Sequence, residues 1–490
     1  MGWVGLAGMA GLRLEVADFA GPGRWRWLLS EEVSGAPLAD YEVDLAGEPG
    51  EFPAFTDLYR FVRWNAVPDR RAASEALIVA RAGAWAGEAV LGRAVGDAIA
   101  GAAPVSVRVV VPAAAGFLLS WPLELAHAGG VPLAARGDVT LFYDLAPGLP
   151  GAGLPGAGRP AGLAGAAGGT GGALRVLGVF SLPSGAGVLG LRRERFELVR
   201  LVRRIAGRQG RRVQLGIVQY GASSDRLRAV AEAGDGWDVL HLSGHGGRGM
   251  FLLERPDGSP DPVDTGDLVG LLAPLRRRVQ VAVVSACESA AATQAETLRC
   301  VGLAGQAEVL EQQAGAEAAG PVVTGLAAAL AGALGCAVVA MRYPVADEFA
   351  IGFAAQLYER LLGVRDALPG SRGEPLGPAV ARAVAAAAGP SGSALSLGTP
   401  VLVGAGKTAC ALELAYRHQD SFAAAAFWQA LETPDEFGGA LAGFAAALDI
   451  QLGRFGFAMS DNIATAESVW SVPAFLDTGL GCQLTELPIS

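Results

Sequence analysis

Two short apolar runs near the middle of the chain constrain its fold more than any other feature. Residues 238–242 and 279–284 are each long enough for a buried β-strand, and each ends in a turn of small residues. The first turn, Ser-Gly-His-Gly-Gly, contains His245, and the second, Ser-Ala-Cys-Glu-Ser, contains Cys287. Similar runs alternate with helical patterns, which predicts an α/β domain with a mainly parallel sheet and helices on both faces. Because ligands bind beyond the carboxyl ends of parallel strands, His245 and Cys287 are expected at one edge of that sheet.

A cysteine and a histidine at one sheet edge are the parts that thiol-based nucleophilic catalysis needs. The imidazole of His245 would take the proton of the Cys287 thiol and later protonate the leaving amine. Backbone N–H groups at Gly246 and Cys287 are candidates for the donors that stabilise the oxyanion. Either residue alone is more commonly structural, since free cysteines are often buried and inert. Their joint position at two strand exits, 42 residues apart, favours catalysis.

The composition limits the classes of protein to which the chain can belong. At 490 residues it is too long for one core, and its net charge of −10 argues against a nucleic-acid surface. Its five cysteines form no CxxC pair, which predicts neither a zinc site nor a disulfide framework. The uncharged run 320–341 is interrupted by glycines and predicts a helix, a turn and a strand, so no membrane partner is expected. The N-terminus lacks a secretion signal, which favours a cytoplasmic location.

Changes in pattern along the chain predict four segments. Residues 1–146 alternate strand and helix signals, as in an α+β region. Residues 147–173 are a Gly/Ala/Pro tract, typical of a linker, and residues 174–388 are the α/β domain described above. Residues 389–490 form the remainder, which begins with a second linker.

The chain contains a single lysine, in a motif that resembles a phosphate-binding loop. Gly404, Gly406, Lys407 and Thr408 follow the short apolar run 401–403 and precede a helical pattern. The stretch GAGKTACALELAYRH resembles the start of a STAND-type (NB-ARC-like) nucleotide-binding domain. The full pattern requires a glycine at position 401, where the chain has Val401, and no Walker B aspartate follows. We interpret the segment as a truncated P-loop fragment, in which ATP and magnesium binding is an alternative and hydrolysis is not expected.

Residues 174–365 resemble a CHAT domain, a caspase-like module related to separases and caspases. The resemblance is carried by LRVLGVFSLPSG at 174–185, VLHLSGHG at 239–246, VAVVSACES at 281–289 and VVAMRYPVADEFAIGFAAQLYERLL at 338–362. Two motifs of the first segment, FTDLYRFVRW and WPLELAH, resemble the region that precedes this module in related bacterial proteins.

The resemblance implies a caspase-hemoglobinase-like fold with Cys287 as nucleophile and His245 as general base. It implies a cysteine endopeptidase that acts on protein substrates, needs no cofactor and selects the side chain before the scissile bond. A pocket for a basic side chain would draw on Glu288, Asp264 or Asp347. The role implied is bacterial signalling, defence or regulated cell death. Two alternatives are a non-catalytic CHAT scaffold that binds a regulatory protein and the protease arm of a nucleotide-gated switch.

Overall fold

One large sheet organises the protein. The computed structural model describes residues 10–45, 51–145, 174–185, 189–209, 213–233, 236–290, 325–362, 374–389 and 392–404. All of them belong to one of the two compact units into which the chain divides. The strands are β1 (Ala10–Gly21), β2 (Arg24–Glu31), β3 (Pro37–Asp44), β4 (Val105–Val111), β5 (His127–Ala128), β6 (Val131–Pro132), β7 (Val139–Leu145), β8 (Leu174–Ser181), β9 (Val213–Gln219), β10 (Val239–Gly244), β11 (Gly246–Gly247), β12 (Met250–Glu254), β13 (Pro260–Asp264), β14 (Val281–Ser285), β15 (Ala337–Met341) and β16 (Pro400–Gly404). The α-helices are α1 (Glu51–Thr56), α2 (Leu58–Asn65), α3 (Arg71–Trp85), α4 (Arg93–Gly101), α5 (Leu191–Gln209), α6 (Ser224–Glu232), α7 (Thr265–Leu272), α8 (Leu326–Leu334), α9 (Asp347–Leu361) and α10 (Leu376–Ala387).

The main sheet consists of two parallel blocks that run in opposite directions. Within the described residues its order is β3-β2-β1-β4-β7-β16-β15-β14-β10-β8-β9. From β9 to β15 all neighbours are parallel, and so are those from β1 to β16 in the other block. β15 and β16 are antiparallel, as are β1, β2 and β3 at the far end. The carboxyl ends of the two blocks therefore lie at opposite edges of the sheet.

The central strands are buried on both faces, which explains their continuous apolar sequences. In β14, Val281 and Val283 pack with the apolar sides of α5, α9 and α10. Ala282 and Val284 point the other way and pack in the core that α2, α3, α4, α6, α7 and α8 cover. The predicted architecture, a mainly parallel sheet with helices on both faces and a strand-rich α+β region before it, is confirmed.

The β1–β3 end of the sheet has only one covered face. Trp25, Trp27 and Leu29 of β2 are buried, whereas the residues between them point outwards. On the outer side Arg26 donates hydrogen bonds to Asp40 of β3 across the antiparallel pair. This strict alternation is typical of an antiparallel strand with one solvated face.

Strand β16 and a buried ion pair join the two blocks. β16 lies between β7 and β15, so residues predicted to precede a phosphate-binding loop are a central strand of the sheet. Beside it, the fully buried guanidinium of Arg342 donates to both oxygens of Glu124, at 2.9 and 3.3 Å. Arg342 also donates to the carbonyl oxygens of Leu119 and Gly398, at 3.1 and 2.6 Å. Residues from three parts of the chain thus share one buried charge.

The main sheet crosses the predicted segment boundaries and includes a strand from the uncharged run 320–341. It runs across the predicted boundaries at 146, 174 and 389, and the division into separate domains stays a prediction. The predicted linker 147–173 lies outside the described residues. The uncharged run contains α8, a left-handed Gly335 and then β15, as predicted. No helix in the described ranges combines the length and hydropathy needed to cross a bilayer.

Candidate active site

The register of β10 and β14 brings the turns that carry His245 and Cys287 to neighbouring strand ends. The parallel pairing of these strands ends with Ser243 opposite Ser285. His245 and Cys287 each follow two residues later, in the turns just beyond the ends of these strands. The two turns are in contact, because a Cβ atom at Gly246 would lie 2.9 Å from the Cβ of Ala286 and 3.0 Å from the carbonyl oxygen of Cys287. Only glycine allows this approach, so the Gly-rich turn brings the histidine loop against the cysteine loop.

The surroundings of Cys287 hold its thiol in the protonated form. The side chain is free and half-buried. Burial raises the pKa of the thiol, and the nearby carboxylates of Glu288 and Asp347 raise it further. A hydrogen bond from the backbone N–H of Val345 acts in the opposite direction but does not outweigh them. At neutral pH the resting thiol is therefore neutral, and it becomes a thiolate only when a base takes its proton.

Glu288 connects the cysteine turn to the N-terminal part of the chain. It has a left-handed backbone with a φ of 53°, a conformation that costs a residue other than glycine about 1–3 kcal/mol. Its carboxylate accepts a hydrogen bond from Nε of Arg248 at 3.2 Å. The same guanidinium donates to Asp57, just before α2, at 3.0 Å. Arg248 follows His245 by three residues, so this chain of charges contacts both turns of the site.

A buried polar cluster lies directly beneath the two turns. Glu194 of α5 accepts a hydrogen bond from the Ser243 hydroxyl, and its Oε1 lies 3.2 Å from Nε2 of His241. Nδ1 of His241 lies 3.0 Å from the hydroxyl of Tyr358 on α9. Glu194, Ser243 and Cys287 line one small cavity. His241 itself is buried in the core.

The three candidate pocket carboxylates have different positions. Asp347 begins α9, accepts a hydrogen bond from the backbone N–H of Gly190 at 2.5 Å, and lines the cavity that contains Cys287. Glu288 is adjacent to Cys287 and is paired with Arg248. Asp264 instead caps α7, where it accepts from the backbone N–H of Asp267 at 2.8 Å. Of the three, Asp347 and Glu288 thus contribute negative charge at the thiol.

Of the nucleotide-binding residues predicted from the sequence, only Gly404 lies among the described residues, and it is not part of this site. Gly404 is the last residue of β16, which is antiparallel to β15, so it lies at the sheet edge away from Cys287. A Cβ at Gly404 would lie 2.2 Å from Cζ of Phe142, which indicates a packing role for this glycine. Gly406, Lys407 and Thr408 lie outside the described residues. Among those that are described, no group of three or more His, Cys, Asp or Glu side chains is arranged to hold a metal ion.

Sequence reasoning missed the residues that support the site. Two of these residues, Glu194 and Asp57, are far from His245 and Cys287 in the chain. The third, Arg248, is close to His245 but looks in sequence like a residue of a solvated surface. One signal was available, because a serine precedes both His245 and Cys287 by two residues. On parallel strands in register, that repetition places two hydroxyls side by side.

Comparison with known proteins agrees with the resemblance seen in the sequence. A search of curated proteins finds no match. Among solved structures, the Arg-specific cysteine proteinase gingipain R has 10% identity and a TM-score of 0.36, over 72% of this chain and 75% of that chain. The Saccharomyces cerevisiae separase in complex with securin has 9% identity and a TM-score of 0.43, over 81% of this chain and 30% of that chain. The family model of the CHAT domain matches residues 179–430, slightly more than half of the chain, including the lysine motif. The protein therefore belongs to the CHAT domain family.

Proposed function

We propose that the protein is a caspase-like cysteine endopeptidase with a Cys287/His245 dyad. The observation that carries this proposal is the pairing of Ser243 with Ser285, because His245 and Cys287 follow these serines by two residues in the turns just beyond the strands. The contact of Gly246 with the cysteine turn supports the same arrangement. Family membership adds protein substrates and a role in bacterial signalling, defence or cell death to the proposal, and the sequence pattern adds a cytoplasmic location.

In the proposed reaction His245 removes the Cys287 proton as the sulfur attacks the scissile carbonyl carbon. The carbonyl π electrons move to oxygen, where backbone N–H groups of Gly246 and Cys287 stabilise the oxyanion. When the C–N bond breaks, the imidazolium of His245 gives its proton to the departing amine. Water then attacks the thioester, His245 takes one of its protons, and the carboxylic acid leaves as the thiol is restored. No cofactor takes part in these steps.

The thiol can be tested directly with an electrophilic peptide probe. Wild-type protein is expected to be labelled at Cys287 and to cleave a peptide library, and Cys287→Ala is expected to lose both activities by at least about a thousandfold, as in other nucleophile deletions. Cys336→Ala is the control, since burial raises the pKa of that thiol to about 12. Labels are located by peptide mass mapping.

An unlabelled Cys287 in a folded wild-type protein, together with no cleavage of any library member, would sink the peptidase proposal. The remaining candidate would then be a non-catalytic CHAT scaffold.

The substrate class proposed is a peptide with a basic residue before the scissile bond. Asp347 and Glu288 place negative charge beside the thiol and raise its pKa. An incoming arginine or lysine would offset that charge, so its arrival would favour the thiolate as well as binding. We expect chloromethyl ketones with arginine at this position to inactivate the enzyme at least about tenfold faster than the same peptides with aspartate, a difference of roughly 1.4 kcal/mol. Equal rates, or faster inactivation by the acidic probe, would contradict a basic preference.

A further inference from the structure

A second cavity lies beside the one that contains Cys287. It has a volume of about 200 Å³, and its walls are formed by α2, α3, the segment that follows β15 and the turn before β16. Val345 lines both cavities, whereas Ala346 lines the second and Asp347 lines the first. One short segment, residues 344–347, therefore separates the proposed nucleophile from a space that the reaction itself does not use.

The walls of the second cavity are joined to one another by side-chain contacts. The ring of Tyr59 on α2 stacks on that of Tyr343, with ring centroids 6.4 Å apart, which holds α2 against the segment that follows β15. Oε1 of Glu75 on α3 accepts a hydrogen bond from the Ser393 hydroxyl, which holds α3 against the turn before β16. Because each wall is tied to another, the cavity is a built part of the fold.

The lining of the second cavity combines positive charge with apolar surface. Arg63, in the last turn of α2, and Arg71, at the start of α3, both line it. Neither guanidinium forms a hydrogen bond or an ion pair with another residue in the described ranges. The carboxylate of Glu75 already accepts a hydrogen bond, and the buried side chains of Val62 and Leu395 add apolar contact. A side chain with a short apolar stem and a negative tip, that of glutamate or aspartate, matches this lining.

We propose that the second cavity is a subsite for an acidic side chain of the substrate, with Arg63 and Arg71 as its specificity-determining residues. The inference rests on the proposed function. An extended peptide advances about 3.3 Å per residue and alternates its side chains, so residues two apart lie on one face, about 6.6 Å from each other. Two cavities that share the lining residue Val345 are within reach of such a pair. The substrate class is then a peptide with one side chain beside Cys287 and an acidic residue about two positions away.

Matched peptides test the subsite. Each pair is built on the best substrate of the peptide library and differs only in glutamate against glutamine at one position, from four residues before the scissile bond to three after it. We expect one position at which kcat/KM of the wild-type protein is about three- to tenfold higher for glutamate, since a single exposed ion pair contributes little. Arg63→Gln combined with Arg71→Gln should bring that ratio to about one. Raising the salt from about 0.05 M to about 0.5 M should lower the wild-type ratio, because salt screens exposed charges.

Arg70→Gln is the matched control. Arg70 directly precedes Arg71, carries the same charge and is exposed, but it does not line the cavity. Substitutions of exposed side chains of this kind rarely alter folding. Arg70→Gln is therefore expected to keep the wild-type ratio for glutamate against glutamine. An equal loss of the ratio in Arg70→Gln would mean that the general charge of this surface sets the preference, and it would overturn the subsite.

The outcomes distinguish this inference from the proposed function. If wild-type protein cleaves peptides but treats glutamate and glutamine alike at every position, or if a preference survives the loss of both arginines, the subsite is overturned and the peptidase stands. If wild-type protein cleaves nothing and Cys287 is not labelled, the peptidase proposal has failed, and fluorescence anisotropy of the same peptides with Cys287→Ala decides on the subsite. Tighter binding of a glutamate peptide that needs Arg63 and Arg71 supports it, and equal binding of both peptides overturns it.

Discussion

The surroundings of Cys287 favour the neutral thiol over the reactive thiolate in the resting protein. Burial and the carboxylates of Glu288 and Asp347 raise the pKa of its thiol, and the backbone N–H groups of Val345 and of Cys287 itself act in the opposite direction. A negative site can attract a cationic substrate, but it also disfavours the thiolate before the substrate arrives. In the proposed function, substrate binding and formation of the thiolate would therefore be linked through charge.

Removing the charge of Asp347 should therefore lower the pKa of the Cys287 thiol. Alkylation needs the thiolate, so its rate rises with pH through the thiol pKa, and Asp347→Asn is expected to move that rise to lower pH. The amide oxygen of Asn can still accept the hydrogen bond from Gly190, so the loop is retained. The measurement is the rate of iodoacetamide alkylation at Cys287 from pH 6 to 10.

Asp264→Asn is the matched control, because Asp264 caps α7 and asparagine is an equally good cap. Its profile should overlay that of wild type. A shift of equal size in both variants would mean that general surface charge, and not the local carboxylate, sets the reactivity of the thiol.

At this scale the sequence indicates the candidate reacting groups but not the residues that surround them. His245 and Cys287 are recognisable because each follows a buried strand in a turn of small residues. The link from Arg248 to Asp57 spans 191 residues, and no local pattern records it. Charged residues that pair across the fold look the same in sequence as residues on a solvated surface.

The bounds of helices and strands are predicted closely where the sequence has one clear hydrophobic pattern. The sequence predicts strands at 105–111 and 337–341 and a helix at 376–387, and β4, β15 and α10 have those bounds. The first two are continuous apolar runs rich in valine, and the third has a clear helical period. Such segments have the same local preference as their final packing, so their boundaries are set before tertiary contacts form.

Elements that depend on tertiary contacts are not predicted as well. The period over 72–100 predicts one helix, whereas the structure has α3, a π-helical turn at Ala86–Val90, and α4. Gly92, with a φ of 81°, ends the first part, and a Cβ there would lie 2.2 Å from Cγ of Tyr41. A Cβ at Gly87 would lie 2.3 Å from the carbonyl oxygen of His127. These breaks are required by neighbours that a helical period does not reveal.

For the whole molecule, the ion pair of Arg342 and Glu124 should determine whether the two blocks unfold together. Glu124→Ala leaves a fully buried guanidinium without its carboxylate, which is expected to cost about 3–5 kcal/mol. In a background with Trp237, Trp428 and Trp470 changed to Phe, urea unfolding followed by tryptophan fluorescence reports the N-terminal block, and the reactivity of Cys336 reports the other. We expect both probes to give the same, lowered midpoint, because one sheet joins the blocks.

Glu42→Ala is the control, since Glu42 forms an exposed pair with Arg24 on the outer face, where such pairs contribute about 0–1 kcal/mol. Separate midpoints for the two probes in wild-type protein would show that the blocks are independent, as the predicted domain boundaries imply.

The position of β16 also affects how the sheet can assemble while the chain is being synthesised. Its partner β7 is complete at residue 145, but β16 begins only at residue 400. At about 5–20 residues per second, a ribosome needs on the order of 10 to 50 s to synthesise the chain between them. During that interval the edge of β7 lacks its partner, and exposed strand edges are templates for wrong pairing. The nascent chain thus carries an open edge beside a half-built sheet, and the strand that covers this edge also completes the sheet that bears the candidate site.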